Sequence, residues 1–166
     1  MRYEIERKFR MDGFPPLEPV REAEMEQGYL CHAPVVRIRK STEHGASRYR
    51  LCFKGNGTLV RSELELPLTA EQYDQLCTLL PEPSVRKRFR TYALPDGHTL
   101  ECSLVDEGEP TAFYYAEVEF ASESEAAAFA VPSFLGAEVT ADPSFTMSAY
   151  AARKAARHRD ADRSTK

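Results

Sequence analysis

The 166-residue chain has no apolar run approaching the roughly 20 residues that a membrane helix needs, so no bilayer-spanning helix is predicted. Its four cysteines, Cys31, Cys52, Cys77 and Cys102, form no CxxC pair, and its four histidines are equally scattered. Neither a disulfide framework nor zinc-site spacing is present. The basic excess of a general nucleic-acid binder is also missing, because the formal net charge is -4. Any basic site must therefore be local. The chain opens Met1-Arg2-Tyr3-Glu4-Ile5-Glu6-Arg7-Lys8, with no apolar stretch of signal-peptide type, and a cytoplasmic location is expected. Repeats and domain linkers are absent too. The expectation is one domain over residues 1–159 with a polar tail at 160–166.

What the chain has in abundance is alternation of side-chain character at period two, the mark of strands with two unlike faces. Eight such runs are predicted: 2–10, 24–31, 35–40, 48–54, 60–68, 85–94, 99–105 and 112–120. Turn-forming groups separate them, among them Gly55-Asn56-Gly57 and Asp96-Gly97, and the short links favour antiparallel neighbours. Thr69 with Gln72, and Ser122 with Glu125, have capping-box spacing and predict helices over 70–80 and 126–130. A third helix is expected from Pro143 or Ser144 through Arg159.

The alternation sorts charge. Glu4, Glu6, Lys8 and Arg10 share a face opposite Tyr3, Ile5, Arg7 and Phe9. By the same parity Arg37 and Arg39 oppose Val36 and Ile38, and Arg48, Arg50, Cys52 and Lys54 oppose Tyr49, Leu51 and Phe53. Arg61, Glu63 and Glu65 oppose Leu64 and Leu66; Arg86, Arg88 and Arg90 oppose Val85, Lys87 and Phe89; Glu117 and Glu119 oppose Ala116, Val118 and Phe120. A single charged face is ordinary in a half-buried sheet. Segregation of acids and bases onto different strands instead points to a shared site. If the sheet closes, the charged face lines a hydrated bore while helices cover the apolar outside. Charges so enclosed must pair, stay wet or hold ions. Arginine and lysine suit phosphate oxygens, and clustered glutamates call for a divalent ion such as magnesium or manganese.

At this point the chain resembles the CYTH superfamily, the triphosphate tunnel metalloenzymes. Glu4-Ile5-Glu6-Arg7-Lys8 matches the ExExK signature on the first strand. It is followed in family order by Gln27-Gly28-Tyr29-Leu30, Val36-Arg37-Ile38-Arg39, Leu51-Cys52-Phe53-Lys54-Gly55, Arg61-Ser62-Glu63-Leu64-Glu65, the basic strand through Arg86 and Arg88, and Ala116-Glu117-Val118-Glu119-Phe120. The resemblance implies an α+β, mainly β fold: a closed eight-stranded antiparallel barrel with flanking helices and a C-terminal helix that plugs one mouth. It implies that Lys8, Arg37, Arg39, Lys54, Arg86 and Arg88 hold phosphates and that Glu4, Glu6, Glu117 and Glu119 bind Mg2+ or Mn2+. Arg61, Glu63, Glu65 and Glu101 complete the wall. Lys8, Lys54, Glu4 and Glu6 form the implied catalytic set, with Lys54 positioning or activating water.

The basic strand departs from the family's lysine, any residue, arginine, tyrosine, because Arg86 and Lys87 both offer the first cation; parity favours Arg86. On the seventh strand the acidic position falls to Glu101 or, at the turn, Asp106. Tyr29 and Phe89 read as packing residues, Arg153 to Arg159 as a solvated helix end, and Cys52 as bore-facing without nucleophilic surroundings. The implied activity is hydrolysis of inorganic tripolyphosphate or a related triphosphate. The alternatives are a thiamine triphosphatase or CYTH-type adenylate cyclase, and a non-catalytic polyphosphate- or nucleotide-binding module. The implied partner is a small triphosphate or polyphosphate, not nucleic acid or membrane, and a homodimer is compatible with the family.

Overall fold

The computed structural model describes residues 2–164. Its strands are β1 (Arg2–Met11), β2 (Arg21–His32), β3 (Val35–Glu43), β4 (Ala46–Lys54), β5 (Val60–Leu68), β6 (Val85–Ala93), β7 (Thr99–Val105) and β8 (Phe113–Glu119). The helices are α1 (Ala70–Cys77), α2 (Glu123–Ala128) and α3 (Met147–Ser164). The strands close into a barrel in the order β1-β5-β4-β3-β2-β6-β7-β8, every neighbouring pair antiparallel. Hairpins carry most of that order. In the tightest, Glu43 faces Ala46 across His44 and Gly45, whose positive φ values of 48° and 80° give the two-residue turn the twist of its strands.

One seam is irregular. β1 pairs with β5 only over Arg2–Ile5 and with β8 over Glu6–Met11. Where β5 leaves, residues 136–139 take its place: Gly136 N and Val139 N donate to the carbonyls of Arg10 and Lys8, and Arg10 N donates to Ala137 O. A Cβ on Gly136 would lie 2.5 Å from the Arg10 carbonyl oxygen, so this strap tolerates no side chain there.

The apolar faces point outward, as the parity requires, and those of β1, β6, β7 and β8 are covered on one side of the barrel. Phe9, Tyr92, Leu100, Cys102, Ala116, Val118 and Phe120 pack under Ala126 and Phe129 of the α2 region and under Leu135. Arg7, the charged member of that outer face on β1, is absorbed by Glu138 at 2.6 Å and by the Ala126 carbonyl at 2.9 Å. Both bonds of the capping box at Thr69 and Gln72 are made. That helix stops at Cys77 rather than at residue 80 because Thr78, Leu79 and Leu80 bond three residues back, tightening the chain before Pro81.

α3 begins at Met147, later than expected, and sits across one end of the bore. Tyr150 and Ala151 pack on Tyr29, Val85, Val105 and Tyr115. The predicted solvated end, Arg153 to Arg159, is exposed except at Lys154 and Ala155, which are buried; Lys154 Nζ meets Asp106 Oδ2 at 2.9 Å and Glu109 Oε1 at 3.0 Å. Asp106 also accepts from Tyr150 Oη at 2.7 Å, so it anchors the plug rather than serving the bore. The tail expected from residue 160 is helical as far as Ser164; residues 165 and 166 lie outside the described residues.

Candidate active site

The barrel encloses a cavity of about 590 Å³. Strand register builds its wall one cross-strand pair at a time. The β2–β3 hairpin sets Tyr29 against Arg37, β3–β4 sets Arg37 against Cys52, and β4–β5 sets Cys52 against Glu65 and Lys54 against Glu63. β1 then places Glu4 opposite Arg61, Glu6 opposite Glu119 and Lys8 opposite Glu117, and Glu101 on β7 faces Glu117. Of the residues implicated by sequence, Glu4, Glu6, Lys8, Arg37, Arg39, Lys54, Arg61, Glu63, Glu65, Glu101, Glu117 and Glu119 all line this cavity.

Arg86 and Arg88 do not, and this corrects the sequence-based parity on β6. Val85, Lys87 and Phe89 are the inward residues, all buried, with Lys87 and Phe89 on the cavity wall. Arg86, Arg88 and Arg90 face outward, opposite Glu26, Glu24 and Glu22 of β2 in register. Arg88 reaches Glu107 at 2.6 Å and Glu24 at 3.7 Å, and Arg90 Nε donates to Glu22. The matching triplet Glu22, Glu24, Glu26 alternates with Ala23, Met25 and Gln27, and it is the signal in the sequence that marks this outer ladder. Tyr29 and Phe89, expected only to pack, also border the cavity.

The side nearest β4 and β5 is closely paired. Lys54 Nζ lies 2.7 Å and 2.9 Å from the two Glu4 oxygens and 3.1 Å from Glu63. Arg61 donates to Glu4 at 2.9 Å and to Glu6, and Arg39 to Glu65 at 2.9 Å. Burial opposes ionisation of Glu4, but Lys54 and Arg61 outweigh it and hold its pKa at about 2. Arg50 stands 3.9 Å from Glu65 at the rim, and Arg48 is exposed. Burial raises the Cys52 thiol to about 11, and its Sγ donates to Glu63, so it is no nucleophile.

The side formed by β1, β7 and β8 is different. Burial and the charges of Glu117 and Glu119 push Glu101 up to about 7. Burial and Glu117 likewise raise Glu6, while Lys8, Lys87 and Arg61 overcome burial and keep Glu117 low. Lys8 Nζ is 3.0 Å from Glu6 and 3.3 Å from Glu117. Lys87 donates to Tyr115 Oη and is pushed down to about 7 by burial and by Arg37, Arg39 and Lys8.

Two observations test what fits. Arg37 is buried, and its Nε has no hydrogen-bond partner among the described residues, which leaves a donor for an anion. The mutually repelling carboxylates of Glu6, Glu101, Glu117 and Glu119 form an all-oxygen set suited to a hard divalent cation. Glu4, assigned to the metal by the resemblance, is held by Lys54 and Arg61, as Glu6 is by Arg61 and Lys8. Among the described residues, the group of three whose ligand atoms lie within 4.8 Å of one another is instead Cys52, Glu63 and Glu65, but its two carboxylates already face Lys54 and Arg39 and its third ligand is a protonated thiol.

A closed barrel whose bore is lined by interleaved cations and carboxylates is a charged tunnel suited to a polyanion. No family profile matches the chain. The inorganic triphosphatase of Nitrosomonas europaea is 34% identical over 148 residues, covering 89% of this chain and 96% of that protein. A crystal structure of an inorganic triphosphatase superposes with a TM-score of 0.65 at 30% identity, covering 91% of this chain and 95% of the other. A putative adenylyl cyclase from Hippeastrum, described as having dominant triphosphatase activity, shares the fold, with TM-score 0.52 at 14% identity over 75% of this chain and 82% of its own. The chain belongs to the CYTH superfamily of triphosphate tunnel proteins.

Proposed function

We propose that this protein hydrolyses inorganic tripolyphosphate, or a closely related triphosphate, with magnesium or manganese. The observation that carries the reading is one cavity lined by Arg37, Arg39, Lys8 and Lys87 together with a set of carboxylates. Its support from relatives is the 34% identity to an inorganic triphosphatase over most of both chains. Arg37 and Arg39 present planar donor forks to phosphate oxygens, and Lys8 and Lys87 add point charges. Protonation of Lys87 accompanies binding, since an incoming polyanion favours its charged form.

Lys54, contacting three carboxylate oxygens, is placed to orient substrate or water. Glu6, Glu101, Glu117 and Glu119 would hold the divalent ion, which when bound supplies charge neutralisation at the phosphoryl oxygens. Orthophosphate release from tripolyphosphate, measured with magnesium, with manganese and with neither, tests the reading. Rates equal to a metal-free blank contradict it.

One observation favours the organic-triphosphate alternative. Ala23, Met25 and Phe89 form a small apolar ledge, and two of them border the cavity. Tyr92 and Tyr114 lie on the outward parity and are not candidates for it. Thiamine triphosphate and ATP belong in the same panel, where cyclic product from ATP selects a cyclase and binding without turnover selects a sensor module. No helix of the described residues is long and apolar enough to cross a membrane, and a cytoplasmic location remains our proposal. Tyr3, Phe53, Leu64 and Leu66 are exposed on the outer wall of β1, β4 and β5, which supports a homodimer testable by sedimentation.

A further inference from the structure

The plug carries a second constellation that the tunnel chemistry does not use. Ser148, in the first turn of α3, has its Oγ 2.6 Å from Nδ1 of His32 at the end of β2. His32 Nε2 lies 2.6 Å from Oε1 of Glu82, in the link between α1 and β6. The Glu82 side chain is only 8% exposed. The Glu82 carboxylate opposite Nε2 favours the tautomer in which Nε2 donates, and in that tautomer Nδ1 is left to accept from the serine hydroxyl. The imidazole is further fixed by stacking on Tyr29, with centroids 5.3 Å apart and planes at 16°. A hydroxyl, a base on the hydroxyl and a carboxylate orienting the base are the three parts of an activated nucleophile, recognised by geometry rather than by order in the chain. Both Ser148 and His32 border the cavity that holds Arg37.

We propose that Ser148 is a phosphoryl acceptor, modified by the triphosphate that enters the tunnel. This rests on the triphosphate reading of the cavity. A bond forms between Ser148 Oγ and the terminal phosphorus, the bond from that phosphorus to its bridging oxygen breaks, and diphosphate leaves. The hydroxyl proton passes to His32 Nδ1, and Glu82 faces the resulting imidazolium. The product is favoured where it forms, because a phosphoserine in the first turn of a helix meets the positive end of the helix dipole and the new imidazolium. A phosphate on α3 would also add negative charge at the plugged end of the bore, opposing entry of further substrate. The plainer role for these three residues, pinning α3 to the barrel, leaves no covalent trace, and that separates the two.

The full chain is incubated with tripolyphosphate and magnesium, quenched in acid and analysed by intact mass and peptide mapping, with phosphate release followed in parallel. The expected result is a gain of one phosphoryl group on Ser148, absent in Ser148→Ala and slowed about a hundredfold in His32→Gln, with a smaller slowing in Glu82→Gln. Phosphate release by the wild type with no adduct, an adduct elsewhere, or an adduct undiminished in His32→Gln would overturn the proposal and leave the hydrolase reading intact. If neither phosphate nor adduct appears, the hydrolase reading fails, and a fluorophosphonate probe then decides on the serine. Labelling of Ser148 that depends on His32 upholds it as the acceptor for another phosphoryl donor, and no labelling overturns it.

Discussion

The two sides of the tunnel are built from the same residue types but balanced differently. Around β4 and β5 each carboxylate has a close cation, as with Glu4 between Lys54 and Arg61 or Glu65 beside Arg39. Around β1, β7 and β8, Lys8 lies between Glu6 and Glu117 and Arg61 reaches Glu6, yet Glu101, buried and facing the charges of Glu117 and Glu119, is driven up to about 7. Pairing makes the first side a preformed scaffold. Repulsion on the second side opposes ionisation of Glu101, and under the metal reading proposed above, binding of the ion and relief of that repulsion would be one event.

The sharpest way to break this contrast is to remove a charge from the acidic side. Glu117→Gln is expected to lower phosphate release about a hundredfold or more and to abolish the rise in melting temperature on adding manganese, both readable on one preparation. Lys87→Ala comes next, with a loss of about tenfold to a hundredfold in kcat/KM, whereas the outward Arg88→Ala stays within about twofold. Equal losses in the two variants would return β6 to the parity first expected.

Stability should show the same contrast with opposite signs. Glu101 has its pKa raised from 4.5 to about 7, so the folded state is favoured below 4.5 and that advantage is lost as pH rises through about 7. Glu101→Gln should therefore stabilise the metal-free protein at pH 8 by about 2 kcal/mol relative to wild type, measured by urea unfolding. Glu4, lowered to about 2, contributes stability that is present above 4.5 and is lost as pH falls toward about 2. Glu4→Gln should flatten that acid limb, by about 1 to 2 kcal/mol after allowing for water in the tunnel. The smallest effect belongs to the outer ladder, where Arg90→Ala is expected to cost under about 1 kcal/mol.

Most of the barrel is visible in the sequence because period two is enforced twice, by charge inside and by apolar cover outside. Strands β5 and β7 have the predicted bounds, and the inward set on β1, β3, β5 and β8 follows from parity alone. β6 fails because both of its faces carry cations, so alternation does not choose between them. The choice is made by its neighbour: β2 offers three outward glutamates and an inward Ala23, Met25 and Gln27. Arg86-Lys87-Arg88 is readable only as a pair of strands. The Ser148, His32 and Glu82 contacts span separations of 116 and 50 residues, and no local pattern links them.

The seam at β1 has a consequence for how the molecule is made. The barrel strands end at Glu119, yet half of one edge of β1 stays open until residues 136–139 lie against it. A chain still emerging from the ribosome, with all eight strands synthesised but that strap not yet released, exposes a run of unpaired backbone beside Lys8, Phe9 and Arg10. Such an edge invites a strand from a neighbouring nascent chain. In the finished fold the segment between α2 and α3 covers that edge, and Gly136 is the residue that lets it close.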